Sequence, residues 1–369
     1  MPLKLSRRTF LGGAALAGGG RFTFPAPAIA GSTLKGSGTV VVHDGGGSMG
    51  IAQLKAYSEP FQAETGIKVI HQPGVASGVQ LATVLAGAPK HDVALLSGGA
   101  IANFEKDKLL LPIDYDRWAG KDREGYDVVA AETNYAPAMI YSMLIAYEAE
   151  KLGSRTPSTW ADLWNSRDFP GRRTLAAGTN AADGATYEIA LLADGVPPEK
   201  LYPLDWKRAF RSLDNLRSNV VKWWASGAES VQLQVDRQAT VGSAWNGRID
   251  GANDQGARIG KSWDQGILQW AAWAVPKGAE SSENAQKYIA YMSRPEPQAR
   301  FSELITYGPT NARAFEHLSK QRAELMPTAP GLKERQIVQD YAFWNAVDAT
   351  GETGLRRAIV EWERWVAGG

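Results

Sequence analysis

Thr39-Val40-Val41-Val42-His43-Asp44-Gly45-Gly46-Gly47-Ser48 sets a short β-branched run directly against a glycine-rich turn. Downstream of it, Ile51, Leu54, Tyr57, Ser58 and Phe61 fall at helical spacing, and Ile67-Lys68-Val69-Ile70 returns to a strand pattern. The order strand, glycine turn, helix, strand is the unit from which α/β sheets are assembled. It recurs. Leu81, Val84 and Leu85 suggest a helix, Asp92-Val93-Ala94-Leu95-Leu96 a strand, and Ser97-Gly98-Gly99 another glycine turn at its end. Such sheets are mostly parallel with helices on both faces, and ligands gather in the loops beyond the carboxyl ends of the strands.

A second block of the same kind follows Tyr147. Pro157 to Trp164 reads as a capped helix start. Arg173 to Ala177, Val220 to Trp224 and Thr240 to Trp245 read as strands, and Asp183 to Leu192 and Trp206 to Leu216 as helices. From Glu283 onward helices dominate. In the last of them Leu355, Ile359, Trp362 and Val366 share one predicted face. No repeat, coiled coil or polar linker separates the blocks, so the chain is expected to cross between them on ordered strands.

Composition narrows the function classes. The 369 residues are 44% hydrophobic with a net charge of +1, and no basic run offers a footprint for nucleic acid or an anionic membrane. There is no cysteine, which excludes disulfides and thiolate chemistry. His43, His71, His91 and His317 are scattered without metal-ligand spacing, and the glycines lack the Lys-Ser/Thr of a phosphate-binding loop, so neither a metal nor a cofactor is expected. Residues 1–30 read as an export signal. Lys4, Arg7 and Arg8 precede a short apolar stretch, and Ala28-Ile29-Ala30 fits a cleavage site. Ser6-Arg7-Arg8-Thr9-Phe10-Leu11 resembles the twin-arginine signal, which exports proteins already folded.

Seven pieces in order resemble the polyamine (spermidine/putrescine) branch of the bacterial extracellular solute-binding proteins. They are the opening strand with its glycine turn; Pro60 to Val69; His91-Asp92-Val93 with Leu109 to Asp114; Ile145-Ala146-Tyr147 with Trp160 to Trp164 and Phe169 to Arg172; Trp245-Asn246-Gly247-Arg248; Val275 to Ala279; and Tyr307 to Asn311. The resemblance implies an α/β type II periplasmic binding protein, with two lobes joined by two hinge strands near Met143–Tyr147 and Trp270–Val275. The implied lobes are 31–143 with 276–369, and 144–275. The function it implies is that of a periplasmic, monomeric component of an ABC importer, which closes on a small polar solute and delivers it to an inner-membrane permease.

The candidate contacts come partly from strand ends and partly from the resemblance. The turn Gly46, Gly47 and Ser48 could offer backbone N–H groups to an anion, or could simply be a tight turn. Ser97 and Gly98 occupy the matching place after the third strand. Trp245 could form a stacking wall, and Arg248 could grip a carboxylate or serve in a structural ion pair. The resemblance adds Tyr141 and Ser142 at a cleft-lining turn, Tyr307 before Gly308-Pro309, and the walls Trp270 and Trp273. It also exposes a departure. Amine-binding members carry an Asp five residues before the proline of the Val-Pro-Lys-Gly stretch, and here that position is Ala271. Without that carboxylate a buried ammonium lacks its counter-charge, unless Asp183 supplies one.

Two rival readings share these residues. Gly46-Gly47-Ser48-Met49-Gly50 matches the nucleophile elbow of serine hydrolases, although it follows the first strand rather than a late one. A ligand sensor of the same fold would use the same cleft.

Overall fold

The computed structural model describes residues 34–368, apart from 76, 119–121 and 126–131. The expected export signal lies outside the described residues. Ten strands run along the chain: β1 Thr39–Asp44, β2 Lys68–Pro73, β3 Ala94–Ser97, β4 Leu110–Leu111, β5 Ala136–Glu148, β6 Arg173–Ala176, β7 Val220–Trp224, β8 Val241–Trp245, β9 Ile259–Pro276 and β10 Gln336–Val338. β1 and β2 pair in parallel, and β1 is bridged to Val93 just before β3. The larger sheet has the order β10-β9-β5-β8-β6-β7, with β3 and β4 also on β9.

β5 and β9 dominate this sheet. They are 13 and 18 residues long and run antiparallel through most of their length. The expectation of mostly parallel sheets holds for β1–β2 and for β6 with β7 and β8, whereas β5 and β9 are antiparallel to each other. Their register is irregular between Met143 and Ile145, where the partner jumps from Ile267 to Ser262 and Gln265 takes a positive φ of 58°. A bulge of this kind bends and twists a strand pair, and here it marks the change of neighbours. Beyond it β5 pairs with β8, while before it β9 pairs with β3 and β4.

Two main cores lie on either side of this change. The first gathers Val40, Val42, Phe61, Ile67, Met139, Trp273, Val275, Tyr288 and Phe301. The second gathers Ile145, Trp160, Leu175, Tyr187, Leu213, Trp224 and Val241. On β9, Ala271, Trp273 and Val275 belong to the first core, Ile267 to the second, and Trp270 packs against the second as well. The C-terminal segment also departs from the expected arrangement: Tyr341, Trp344, Ala358 and Trp362 belong to the second core. The final helix, Gly354–Ala367, is capped by Thr353, whose side chain accepts from the Arg356 N–H. It turns Ala358 and Trp362 inward and leaves Val366 48% exposed, because Trp365 packs on Arg217 and Trp223 instead. The segment at Gln336–Asp340, paired to β9 through β10, thus leads into the second core as a third connection beside β5 and β9. No helix among the described residues is long and apolar enough to cross a membrane.

Candidate functional site

A cavity of about 280 Å³ opens where the strand ends of both halves converge. The carboxyl end of β1 supplies His43, Asp44 and Gly45, with Met49 from the helix after it, and the end of β3 supplies Ser97. The other half supplies Asn180 and Asp183 beyond β6, Ala225 and Ser226 beyond β7, and Trp245 and Arg248 at and beyond β8. Met139 and Tyr141 of β5, Ala271 of β9, Tyr307, and Gly74 and Val75 beyond β2 add to the wall. Six strands, β1, β2, β3, β6, β7 and β8, direct their carboxyl ends at one space, as open α/β sheets do around ligands.

Of the residues singled out from sequence, Ser97, Tyr141, Trp245, Arg248 and Tyr307 line this cavity. Three of them form an aromatic group. Tyr141 meets Trp245 edge-on at 6.1 Å and Tyr307 at 5.9 Å. Burial raises the hydroxyl pKa of both tyrosines, so they stay protonated donors; at Tyr307 the Arg248 charge pulls the other way.

The remaining seven are not among the residues that line the cavity. Gly46 and Gly47 have φ of 67° and 53°, which glycine tolerates. Two N–H groups of the turn are already engaged. Gly45 N–H donates to Gln53 Oε1 at 2.8 Å, and Gly46 N–H to Asp44 Oδ1 at 2.7 Å. Its carbonyls face Arg248, which donates to Gly45 O at 2.8 Å and Gly46 O at 3.0 Å. The turn thus accepts a guanidinium from the other half. Ser48 lies against Gly251. Gly98 is a packing glycine: a Cβ there would meet the Tyr341 ring at 2.4 Å and Trp270 at 2.9 Å. Ser142 is fully buried, with its hydroxyl on Gln336 and its N–H on Asn246. Trp270 stacks on Tyr135 and meets Tyr341 edge-on, and Trp273 is buried in the first core. Neither tryptophan lines the cavity; Ala271, between them, does.

Charge is unevenly distributed around the cavity. Asp183 sits in the short helix Ala181–Gly184, and burial pushes its carboxyl up to about 6. The Ser97 hydroxyl pulls in the opposite direction but does not reach bonding geometry, and Asp183 Oδ1 is buried without a partner. Arg248 commits two of its five N–H groups to the glycine carbonyls, and its Nε is buried and unpaired. His43 packs its ring 5.2 Å from His91, and desolvation lowers its pKa to about 4, so it is neutral near pH 7.

The lining residues that sequence reasoning missed include His43, Asp44, Met49, Asn180, Ala225 and Ser226. The strand-end rule could have yielded Asn180 and Ser226, since both follow recognisable strands. Nothing in the sequence shows that the flanking turns fold inward.

Among the described residues no hydrogen bond joins Ser48 to a histidine. A Ser-His-Asp arrangement does exist at Ser58, whose Oγ lies 2.8 Å from His71 Nε2, with His71 Nδ1 3.4 Å from Asp44 Oδ2. Ser58 is fully buried, and its hydroxyl also meets Tyr288 at 2.7 Å, so the group is closed to a substrate. No cluster of metal-ligating side chains occurs among the described residues.

This two-sided cavity at converging strand ends, spanned by long crossing strands, defines a bilobal binding protein. A family model for bacterial extracellular solute-binding proteins matches residues 56–328, and the chain belongs to that family. It is 35% identical to the gamma-aminobutyric acid-binding protein of Pseudomonas aeruginosa over 81% of this chain and 84% of that protein. It is 24% identical to the spermidine/putrescine-binding periplasmic protein of Escherichia coli over 76% and 82%. Among solved structures it resembles the binding protein AgtB of Agrobacterium tumefaciens R10, solved with agropinic acid. There the TM-score is 0.80 with 29% identity, covering 89% of this chain and 99% of that one. The chain is the solute-binding component of an ABC transporter for small polar molecules.

Proposed function

We propose that this protein captures a small zwitterion of the ω-amino-acid type in the periplasm and hands it unchanged to an inner-membrane permease. One observation carries the reading: an unpaired carboxylate, Asp183, and a guanidinium with free donors, Arg248, line the same aromatic-walled cavity. A buried carboxylate whose pKa is raised by desolvation is relieved by an ammonium group. The remaining Arg248 donors suit the ligand's carboxylate. The rings of Tyr141, Trp245 and Tyr307 favour a cation between them. A diamine would bring a second ammonium towards Arg248 and find Ala271 where amine binders hold an acid. The γ-aminobutyrate relative points to the same ligand class.

The lobes of this reading are residues 34–142 with 269–335, and 143–267 with 341–367, hinged at the β5–β9 bulge. Arg248, gripping the Gly45 and Gly46 carbonyls from across the cleft, holds the closed form. No step makes or breaks a covalent bond, and the protein acts as an exported monomer released by the signal at residues 1–30. Calorimetric titration with γ-aminobutyrate, putrescine and succinate tests the ligand class. The reading expects micromolar or tighter γ-aminobutyrate and no diamine binding. Tight putrescine with silent γ-aminobutyrate would overturn it.

A further inference from the structure

Behind the cavity wall a string of buried polar side chains runs from the ligand space into the second core. Trp245 Nε1 donates to Gln269 Oε1 at 3.1 Å. Gln269 Nε2 donates to the Asp183 carbonyl at 3.0 Å and to Gln339 Oε1 at 2.8 Å. Gln339 Nε2 donates to Glu188 Oε1 at 2.9 Å, where Trp344 Nε1 and the Tyr202 hydroxyl also donate, each at 2.8 Å. Gln269, Gln339 and Glu188 are 1%, 3% and 0% exposed.

The ends of the string fix its direction. An indole N–H can only donate, and Glu188 Oε1 here only accepts, whether or not a proton sits on Oε2. Gln339 must therefore turn its amide nitrogen to Glu188 and its oxygen to Gln269. Gln269 must in turn present oxygen to Trp245 and nitrogen to the Asp183 turn. Each amide has one orientation that satisfies its neighbours, and at this burial the alternative would leave unpaired groups at about 1–3 kcal/mol each. The members also belong to separate elements: Gln269 to β9, Gln339 to the third connection after β10, and Glu188 to the helix Thr186–Ala193. Gln339 is pinned further by its N–H on the Leu268 carbonyl at 3.0 Å.

We infer that Gln269, Gln339 and Glu188 are positioning residues that orient Trp245 and the Asp183 turn for ligand, tying affinity to the C-terminal connection. The ligand class used in its test rests on the zwitterion reading above; the relay itself does not.

The test is Gln339→Met, which keeps the side chain's length and removes both polar ends without touching the cavity. In the folded variant, calorimetry with γ-aminobutyrate should show a dissociation constant raised at least about tenfold, the loss of roughly one good hydrogen bond's orientation. The Trp245 indole N–H resonance in ¹H–¹⁵N spectra should move, because Gln339 is linked to it by hydrogen bonds through Gln269. Glu188→Gln, which retains an acceptor oxygen, should stay within about threefold of wild type. A folded Gln339→Met variant with unchanged affinity and an unmoved indole resonance would overturn the relay. Should that variant not fold, hydrogen exchange of the Trp245 indole in the ligand-free wild type decides: protection supports the relay, and exchange at the free-indole rate refutes it. A wild type silent to γ-aminobutyrate would instead sink the ligand reading, while the indole shift would still report on the relay.

Discussion

The two sides of the cavity carry their acids differently. On the first half, Asp44 is held by its own neighbours: its Oδ1 accepts the Gly46 N–H at 2.7 Å and its Oδ2 faces His71 at 3.4 Å. On the second half, Asp183 has a buried oxygen with no partner, and only burial acts strongly on its pKa. Both line the same space. The first shapes a turn, and the second, on the proposed function, is the one a cationic ligand group would complete. Buried polar groups are normally satisfied, so an exception at a cavity wall points outward to a ligand. The same contrast separates the halves as a whole. The first contributes a glycine turn with two engaged N–H groups and a neutral His43, and the second contributes Asp183, Arg248 and Trp245.

The sharpest way to break this contrast is to neutralise each acid in turn. Asp183→Asn should weaken γ-aminobutyrate binding by about 100-fold or more, the range expected when one partner of a desolvated charge pair is lost. Asp44→Asn should change it by no more than about fivefold, since Asp44 already has partners. Equal losses in calorimetry would erase the distinction. Arg248→Met comes next, with an expected loss of about 10- to 100-fold for a charged hydrogen-bonding group. Small-angle scattering of this variant should also show a larger radius of gyration without ligand, because the grip on Gly45 and Gly46 is gone. Ala271→Asp would restore an acid in the wall, and measurable putrescine binding should appear where wild type has none; continued silence would mean that position 271 does not govern ligand class.

The smallest expected effect is on stability. Asp183 has a folded-state pKa of about 6, above the ordinary value of 3.8. Between those values the folded state holds a proton that the unfolded chain has released. Wild-type stability therefore falls as pH rises through that window, and the full penalty is present above it. Ligand-free Asp183→Asn escapes the penalty. Its melting temperature at pH 7.5 should exceed wild type by about 2 °C, with the difference closing towards pH 4. An equal or lower melting temperature at pH 7.5 would count against an unpaired ionised Asp183.

Much of the architecture was legible in the sequence because its signals are local. Val220–Trp224 is a strand as read, and the helix read over Trp206 to Leu216 runs from Trp206 to Arg217. The helix expected from Asp183 begins at Thr186 instead, since Ala185 at a φ of 50° breaks it. That break separates Asp183 from the longer helix and lets its carboxylate reach the cavity. Strand ends gave Ser97, Trp245 and Arg248, because the carboxyl-end rule depends only on where strands stop.

What failed depended on register and long-range partners. Trp270 and Trp273 looked like walls, yet Ala271 lines the cavity. Trp270 is one step along the strand from Ala271 and so faces the other way, whereas Trp273 shares its face but is buried in the first core. Arg248 read as a ligand grip or a structural contact, and it also clasps two carbonyls some 200 positions earlier in the chain, which no local pattern encodes. The last helix was expected on the first half. Its apolar stripe fits any hydrophobic face, and only the position of the third connection sends Trp362 into the second core.

The central claim is that an ammonium completes Asp183 while a carboxylate meets Arg248 inside the closed cleft. A crystal structure of the protein with γ-aminobutyrate tests it most directly. The account predicts the ligand nitrogen at hydrogen-bonding distance, about 2.8 Å, from an Asp183 oxygen, with its carboxylate on the guanidinium. A ligand lying in the opposite sense, or seated away from Asp183 altogether, would contradict it.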